Sequence, residues 1–445
     1  MKRAVQRAPA PIIFVILSFL CPTELSLYVE GLRLPPHRIS LILLFPFALW
    51  RLFAGPGLKV RAFDWLFIMF AVWQVWVFYQ HTGGKEGIVY GGSLALESFG
   101  GYLVARAYIR DIESFRASLK LIAAAIIAAA LVALPETLLG QIFTHDLLRS
   151  LTGYVHPTAV ETRLGLSRAY GLFDHPIHYG TFCAGLLALF WYAERRANDR
   201  RKRAVLLTGA TFLGISSAPL LCLGLQGGML VWERVTRGVA SRLSITLAIL
   251  TGLYIGADMV STRSPIAFIA TGMTIDSWTG FYRLQIWEHG LNNVWANPWL
   301  GIGLAEWERP WWMISSTVDA FWLVVTMRMG IPALVLLALA VLLLARAVTR
   351  RGIKSRIREV HLLGMGWMMS LIALCLIGCT VHYWNVLHAY FFFFLGLGGW
   401  LADPLKQKLA VRALPRAAAP GRTAALRPAV PVPHPGYPGS APAMA

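Results

Sequence analysis

Apolar runs of roughly 20 residues recur along this chain from residue 11 to residue 402, and that pattern leaves few folds open. About 20 apolar residues in a helix cross the ~30 Å hydrocarbon core of a bilayer, where every backbone N–H and C=O has to be paired within the protein. The composition points the same way. Of 445 residues, 57% are hydrophobic and 14% charged, against about 25% charged in a soluble domain. The expected fold is therefore all-α, a polytopic membrane protein; collagen-like, disulfide-framework and wholly disordered classes are excluded. The five cysteines, Cys21, Cys183, Cys222, Cys375 and Cys379, all lie in apolar runs. Cys375 and Cys379 are one helical turn apart with no His or further Cys beside them, so they read as small buried side chains, not as a metal site. No metal and no cofactor is expected.

Hydrophobicity places twelve spans, at 11–29, 38–55, 63–80, 88–109, 119–139, 176–193, 204–217, 218–232, 243–260, 321–345, 361–380 and 386–402. The stretch 204–232 is the test case. As one helix it would be ~43 Å long, too long for a span; as two, each is short at about 21 Å. Ser216-Ser217-Ala218-Pro219 interrupts it and favours two. Charge agrees, through the positive-inside rule. With twelve spans and a cytoplasmic N-terminus, 31 of the 41 Lys and Arg residues fall on the cytoplasmic side, clustered from Arg195 to Arg203, Arg346 to Arg358 and Lys406 to Arg427. Both termini are therefore expected in the cytoplasm. The basic start Met1-Lys2-Arg3 precedes an apolar stretch with no small-x-small cleavage site, and reads as an uncleaved first span. The net charge of +19 is then topology signal plus attraction to membrane lipids with anionic headgroups. No groove-binding module is present, so no nucleic acid is expected as a partner. Residues 1–403 read as the transmembrane unit. Residues 404–445, in which Pro and Ala make up 20 of 42 positions, cannot bury a core and read as a disordered cytoplasmic tail.

Two outer loops are long, about 140–175 and 261–320, and loops of that length are usually functional. The second holds Trp278, Phe281, Tyr282, Trp287, Trp295, Trp299, Trp307, Trp311 and Trp312, a composition that suits both the membrane interface and stacking on sugar rings. Ten basic residues run against the charge bias: Arg33, Arg38, Lys85, Arg149, Arg163, Arg168, Arg263, Arg283, Arg309 and Arg328. Guanidinium groups at a membrane face suit a phosphate, since the planar fork binds two oxygens at once. Arg283 and Trp287 share a helix face, with Glu288 and His289 on adjacent faces. Arg328 sits in an apolar run, where a charge is costly and tends to be functional. Gly301-Ile302-Gly303 reads as a tight turn after the helix stop Asn297-Pro298, or as a phosphate loop. Asp174 is expected to cap the sixth span, with His175-Pro176 in its first turn. Asp319 is expected to cap the tenth span or to take part in chemistry. Glu97 is a site residue or a buried partner of an Arg.

Several segments resemble the superfamily of O-antigen ligases and Wzy-type O-antigen (exopolysaccharide) polymerases. They are Arg283-Leu284-Gln285-Ile286-Trp287-Glu288-His289-Gly290, Asn297-Pro298-Trp299-Leu300-Gly301-Ile302-Gly303, and Val318-Asp319-Ala320-Phe321-Trp322-Leu323 with Arg328-Met329-Gly330-Ile331-Pro332. In the front half, the segment from Glu97 to Arg106 and Phe173-Asp174-His175-Pro176 look similar as well, and the likeness covers about 11–400. The resemblance implies a GT-C-like helical enzyme of the bacterial inner membrane, with a large periplasmic loop before the tenth span. It implies metal-independent, inverting transfer of a glycan from undecaprenyl diphosphate, at the periplasmic face, to a glycan or lipid A-core acceptor. On that reading Arg283, Arg263, Arg163, Arg168 and Arg328 bind the diphosphate. Asp319, with Glu288 and His289 as rivals, takes the acceptor proton, and Trp287 and Trp299 stack on the glycan. Where the ligases carry a His-Asn style pair, this chain has Asp319-Ala320, so ligase and polymerase both stay open. The alternative class is a multi-span transporter of lipid-linked glycans or solutes. It predicts internal repeats and polar residues at the midplane, whereas here no repeat is seen and the polar residues gather at the outer face.

Overall fold

The computed structural model describes residues 7–29, 32–154, 158–239 and 277–403, with a few positions between 244 and 255. Half of the ninth expected span, the start of the second long loop with Arg263, and the tail 404–445 lie outside the described residues. Fifteen helices are used below: α1 (Ala10–Phe19), α2 (Pro36–Phe53), α3 (Ala62–Thr82), α4 (Gly84–Ala95), α5 (Gly101–Tyr108), α6 (Ile112–Leu139), α7 (Phe143–Thr152), α8 (Pro176–Ala184), α9 (Leu187–Ala193), α10 (Ala197–Leu213), α11 (Ser217–Val235), α12 (Ser277–Ala296), α13 (Phe321–Val348), α14 (Arg358–Ile377) and α15 (Asn385–Leu401). Among the described residues the strands are two short antiparallel hairpins, Leu27–Val29 with Leu32–Leu34 and Thr162–Arg163 with Leu166–Ser167. Among the described residues four helices are long and apolar enough to cross a membrane: α3, α6, α13 with the turn that follows it, and α14. Two shorter ones, α1 and α15, are also apolar.

The helix boundaries differ from the hydrophobicity reading where proline and serine intervene. The first run, 11–29, is helical only to Phe19, after which Thr23–Leu25 forms a 3-10 turn that leads into the first hairpin. Pro22 disfavours the helical conformation at Cys21. The run 176–193 breaks into α8 and α9 at Gly185-Leu186. The run 204–232 breaks at Ser216, the N-cap position of α11, into two helices longer than expected because both extend into polar flanks. The span 88–109 continues through a π turn at Leu96–Gly100, which carries the buried Glu97.

At the centre stands α15, where every residue from Val386 to Leu401 is buried. A helix apolar all round belongs in the interior, and small residues let backbones reach it. A Cβ on Gly101 would come within 2.6 Å of the Ala389 carbonyl oxygen, and one on Gly396 within 2.3 Å of the Tyr102 carbonyl oxygen. This is the close-packing device of helices in lipid. The antiparallel pair α13 and α14 is joined end to end. The orphan amides that open α13, Phe321 N–H and Trp322 N–H, donate to the carbonyls of Val381 and Gly378 at 3.0 and 3.4 Å. The indoles of Trp322 and Trp287 donate to Cys375 and Cys379, each at 2.8 Å. Donors and acceptors left over at two helix ends thus satisfy each other.

Helix α13 is broken at Gly330, whose φ of 79° and ψ of 169° are not helical, two residues before Pro332. Proline supplies no amide, so carbonyls one turn earlier lose their partners. The turn 298–303 replaces them. Ile302 N–H donates to Met327 O at 2.9 Å and Gly303 N–H to Arg328 O at 3.0 Å, while Ile331 N–H reaches Pro298 O at 2.7 Å. The Trp73 indole takes the Met329 carbonyl at 2.9 Å. The two glycine amides that sequence left open as a phosphate loop lie in a turn docked into a helix break.

Candidate functional site

Two cavities open at the end of the bundle where α13 and α15 begin. One, of about 460 Å³, is lined by His175, His178, Asp319, Arg328, His382 and Trp384 among others. The second, of about 630 Å³, is framed by Arg33, Arg38, Tyr90, Glu97, Arg328 and His388, with apolar walls from α3, α4 and α13. Val324, Arg328, His382 and Trp384 border both. The two cavities therefore meet at one charged and one imidazole side chain.

Beside the first cavity lies a cluster of arginines. Arg283, on α12, is only 9% exposed, yet it makes no hydrogen bond to any described residue, and its Nε–H is buried without a partner. Burial pulls its guanidinium below the ordinary Arg range. Asp319 opposes that shift, while Arg163 and Arg168 add to it. Arg168, 4% exposed, pairs with Glu161 and donates to Ser216 Oγ at 2.8 Å; its Nε–H is likewise unpartnered. The hairpin Thr162–Arg163 with Leu166–Ser167 holds both loop arginines. Glu136 anchors the loop by accepting the amides of Tyr170 and Gly171 at 3.0 and 2.7 Å. Three guanidinium groups are thus held near each other in a partly desolvated place, with donors to spare. Such a place favours an anion with several oxygens.

Asp319 is not a helix cap. The N-cap position of α13 is Ala320, with no side-chain capping bond, and Asp319 makes no ion pair within 4 Å among the described residues. Burial raises its carboxyl above the usual carboxylate range, and Arg283 only partly offsets this. Asp174 does not cap the sixth span either. The cap of α8 is His175, whose Nδ1 accepts from Ile177 N–H at 3.1 Å, with Pro176 in the first turn. Asp174 instead ties three segments together, accepting from Thr23 at 2.5 Å and from Asn385 at 2.8 Å.

The other sequence candidates fall in different places. Arg328 lies at the junction of the cavities, and its Nη1 also holds the turn through the carbonyls of Gly303 at 3.0 Å and Ala305 at 2.5 Å. Glu288 is exposed and accepts from Gln285 at 3.1 Å; neither it nor His289 borders the two cavities. Trp287 is partly buried, with its indole committed to Cys379, whereas Trp299 is 74% exposed. Trp307, by contrast, is core, with its indole on Ser316 O at 3.0 Å. Glu97 is a buried partner and a cavity residue at once: Arg38 Nε donates to it at 2.7 Å and His37 stands at 3.0 Å.

Sequence reasoning missed His382 and His388. The segment His382-Tyr383-Trp384-Asn385 sits between two apolar runs, and its density of polar rings was the available signal. The His382 ring faces both cavities and makes no hydrogen bond to a described residue. Burial, with His388 and Arg328, pushes its pKa down to about 3, so it is a neutral imidazole. Among the described residues there is no grouping of three or more His, Cys, Asp or Glu suited to a metal. No protein-family model matches the chain, and no curated protein matches it.

Proposed function

We propose that this chain is a membrane glycosyltransferase that moves a glycan from a polyprenyl-diphosphate carrier of the undecaprenyl type to a sugar hydroxyl, as O-antigen ligases and Wzy-type polymerases do. The observation that carries the reading is the buried Arg283, with unused donors, beside Arg163, Arg168 and Asp319. The diphosphate binds across the guanidinium groups. The acceptor hydroxyl oxygen attacks the anomeric carbon as the bond from that carbon to the diphosphate oxygen breaks. The electron pair leaves on the diphosphate, where the arginines stabilise it, and the hydroxyl proton passes to the Asp319 carboxylate. A single displacement inverts the anomeric centre. Two cavities joined at Arg328 and His382 suit a reaction with two large substrates. The testing experiment is transfer in vitro from a purified lipid-diphosphate glycan, with a deletion strain separating the subclasses. Loss of long glycan from lipopolysaccharide with lipid-linked polymer retained marks a ligase; accumulation of single repeats marks a polymerase.

The raised carboxyl of Asp319 gives the mechanism a pH signature. Its ionised form is the proton acceptor, so turnover rises with pH along a limb above the ordinary carboxylate range of about 4. For stability the sign is opposite. A folded pKa raised above the unfolded one stabilises below the unfolded value, and that gain is lost as pH rises through the folded value. Asp319→Asn is therefore expected to abolish the limb and lower turnover by ~10²–10⁴, while Tm at neutral pH stays equal or increases. Near-normal turnover by the Asn variant would take Asp319 out of the chemistry.

The same reading carries the twelve-span, GT-C-like arrangement, with both termini in the cytoplasm and the site facing the periplasm. Reporter fusions at residues 198 and 355 are expected to report cytoplasm, and one at residue 290 periplasm, from the 31 to 10 division of basic residues. A cytoplasmic signal at 290 would overturn this orientation.

A further inference from the structure

A third cavity, of about 630 Å³, lies at the far end of the bundle. Helix α14 places it: Ile377 leads to His382 at the paired cavities, whereas Arg358 starts the helix, 20 residues or about 30 Å away. Five arginines converge there, Arg200 and Arg201 from α10, Arg234 from α11, Arg237 from the turn that follows it, and Arg358 from α14. One carboxylate, Glu233, lines the cavity with them, and it is occupied by Arg237 at 2.9 and 3.1 Å and by the Tyr192 hydroxyl at 3.0 Å. Two flanking acids are also taken. Glu194 pairs with Arg203 at 2.9 Å, and Glu359 with Arg116 at 2.7 Å and Arg195 at 3.1 Å. Among the described residues no carboxylate lies within 4 Å of Arg201, Arg234 or Arg358. Arg200 stacks over Trp191 at 5.3 Å, with its Nε–H buried and unpartnered.

Apart from Thr208 and Tyr192, the rest of the lining is apolar or glycine, with Leu187, Leu230, Val231 and Leu362 its largest aliphatic side chains. Val231 is 64% exposed, as are its neighbour Val235 and the nearby Val205, at 72% and 73%. An apolar wall open to the outside beside uncompensated guanidinium groups suits a molecule with an anionic head and hydrocarbon chains. Basic residues that merely obeyed the charge bias would spread apart to lower their mutual repulsion; these converge on one concavity. We infer that this cavity binds an anionic glycerophospholipid, its phosphodiester among Arg201, Arg234 and Arg358 and its acyl chains along the valine and leucine wall.

Native mass spectrometry of the purified full chain tests this, together with Tm in phosphatidylcholine micelles titrated with phosphatidylglycerol. The wild type is expected to retain phosphatidylglycerol and to gain Tm from it. Each guanidinium near a membrane surface contributes about fivefold, so Arg201→Gln/Arg234→Gln/Arg358→Gln is expected to bind roughly 100-fold more weakly. Arg346→Gln/Arg350→Gln/Arg356→Gln removes the same charge from residues that do not line the cavity and is expected to bind as the wild type does. Equal weakening in both variants would reduce the effect to general surface charge and overturn the site. A Tm gain from inorganic phosphate alone, matching that from the lipid, would make the ligand a free anion and overturn the lipid assignment.

Discussion

Arg283→Ala is expected, on the proposed glycosyltransferase reading, to lower glycan transfer by ~10²–10³, the loss of about 2–4 kcal/mol of charge stabilisation on a leaving diphosphate. The physical basis is the state of the side chain. It is 9% exposed, forms no hydrogen bond to any described residue, and feels repulsion from Arg163 and Arg168. A buried guanidinium without acceptors is a cost to the fold, so removing it leaves Tm unchanged or raises it. That separates the loss from misfolding. Arg283→Lys keeps the charge but offers no two-pronged contact, and is expected to recover only a small part of the rate. The measurement is turnover with a lipid-diphosphate donor, using variants matched for Tm in detergent. Near-normal turnover by Arg283→Ala would remove Arg283 from the site and, with it, the observation on which the glycosyltransferase reading rests.

Gly330→Ala is expected to be the most damaging small substitution in the transmembrane region. With φ 79° and ψ 169°, Gly330 lies where side-chain-bearing residues carry ~1–3 kcal/mol of strain. A Cβ there would stand 2.1 Å from the Trp299 carbonyl oxygen, a backbone atom with nowhere to move. Overpacking adds a similar ~1–3 kcal/mol, for a total of about 2–6 kcal/mol. Relief requires lifting the turn 298–303 out of the helix break, which frees the Met327 and Arg328 carbonyls and loosens Arg328 between the cavities. The variant should show a lower Tm and lost activity together. Gly92→Ala is the control. A Cβ at Gly92 meets nothing within 4 Å, and Ala exceeds Gly in helix preference by up to ~1 kcal/mol, so its Tm should hold or rise. Equal Tm values for the two variants would show that the helix break tolerates a side chain.

The two substitutions also mark how far the sequence could be read. Arg283, Arg163 and Arg168 stood out by position, because they oppose a charge bias set by the membrane, and the structure brings these three together with Asp319. That Arg283 has no hydrogen-bond partner among the described residues was not legible, since that depends on what every neighbouring loop does with its own carbonyls. Asp319 and Asp174 were both readable as caps, for acids before a helix usually are; neither caps. One lines the first cavity, partly buried, where Arg283 offsets the cost of its charge. The other bridges Thr23 and Asn385, partners 151 and 211 residues away in the chain. Gly301 and Gly303 were visible as a turn, but its use as a patch on a broken helix needs Gly330 and Pro332 in register with it.

The sequence by itself determined the helical class, the apolar runs and the break at Ser216, because these rest on hydrophobic pattern and turn residues acting over one or two helical turns. Only the tertiary structure decided that α15 is the buried centre, that Glu97 meets Arg38 and His37, and that His382 and Arg328 join two cavities. Each of these is a contact between segments far apart in the chain. Close helix packing selects such contacts from many arrangements with the same apolar pattern, because a polar group shut inside must find a partner wherever the fold brings one.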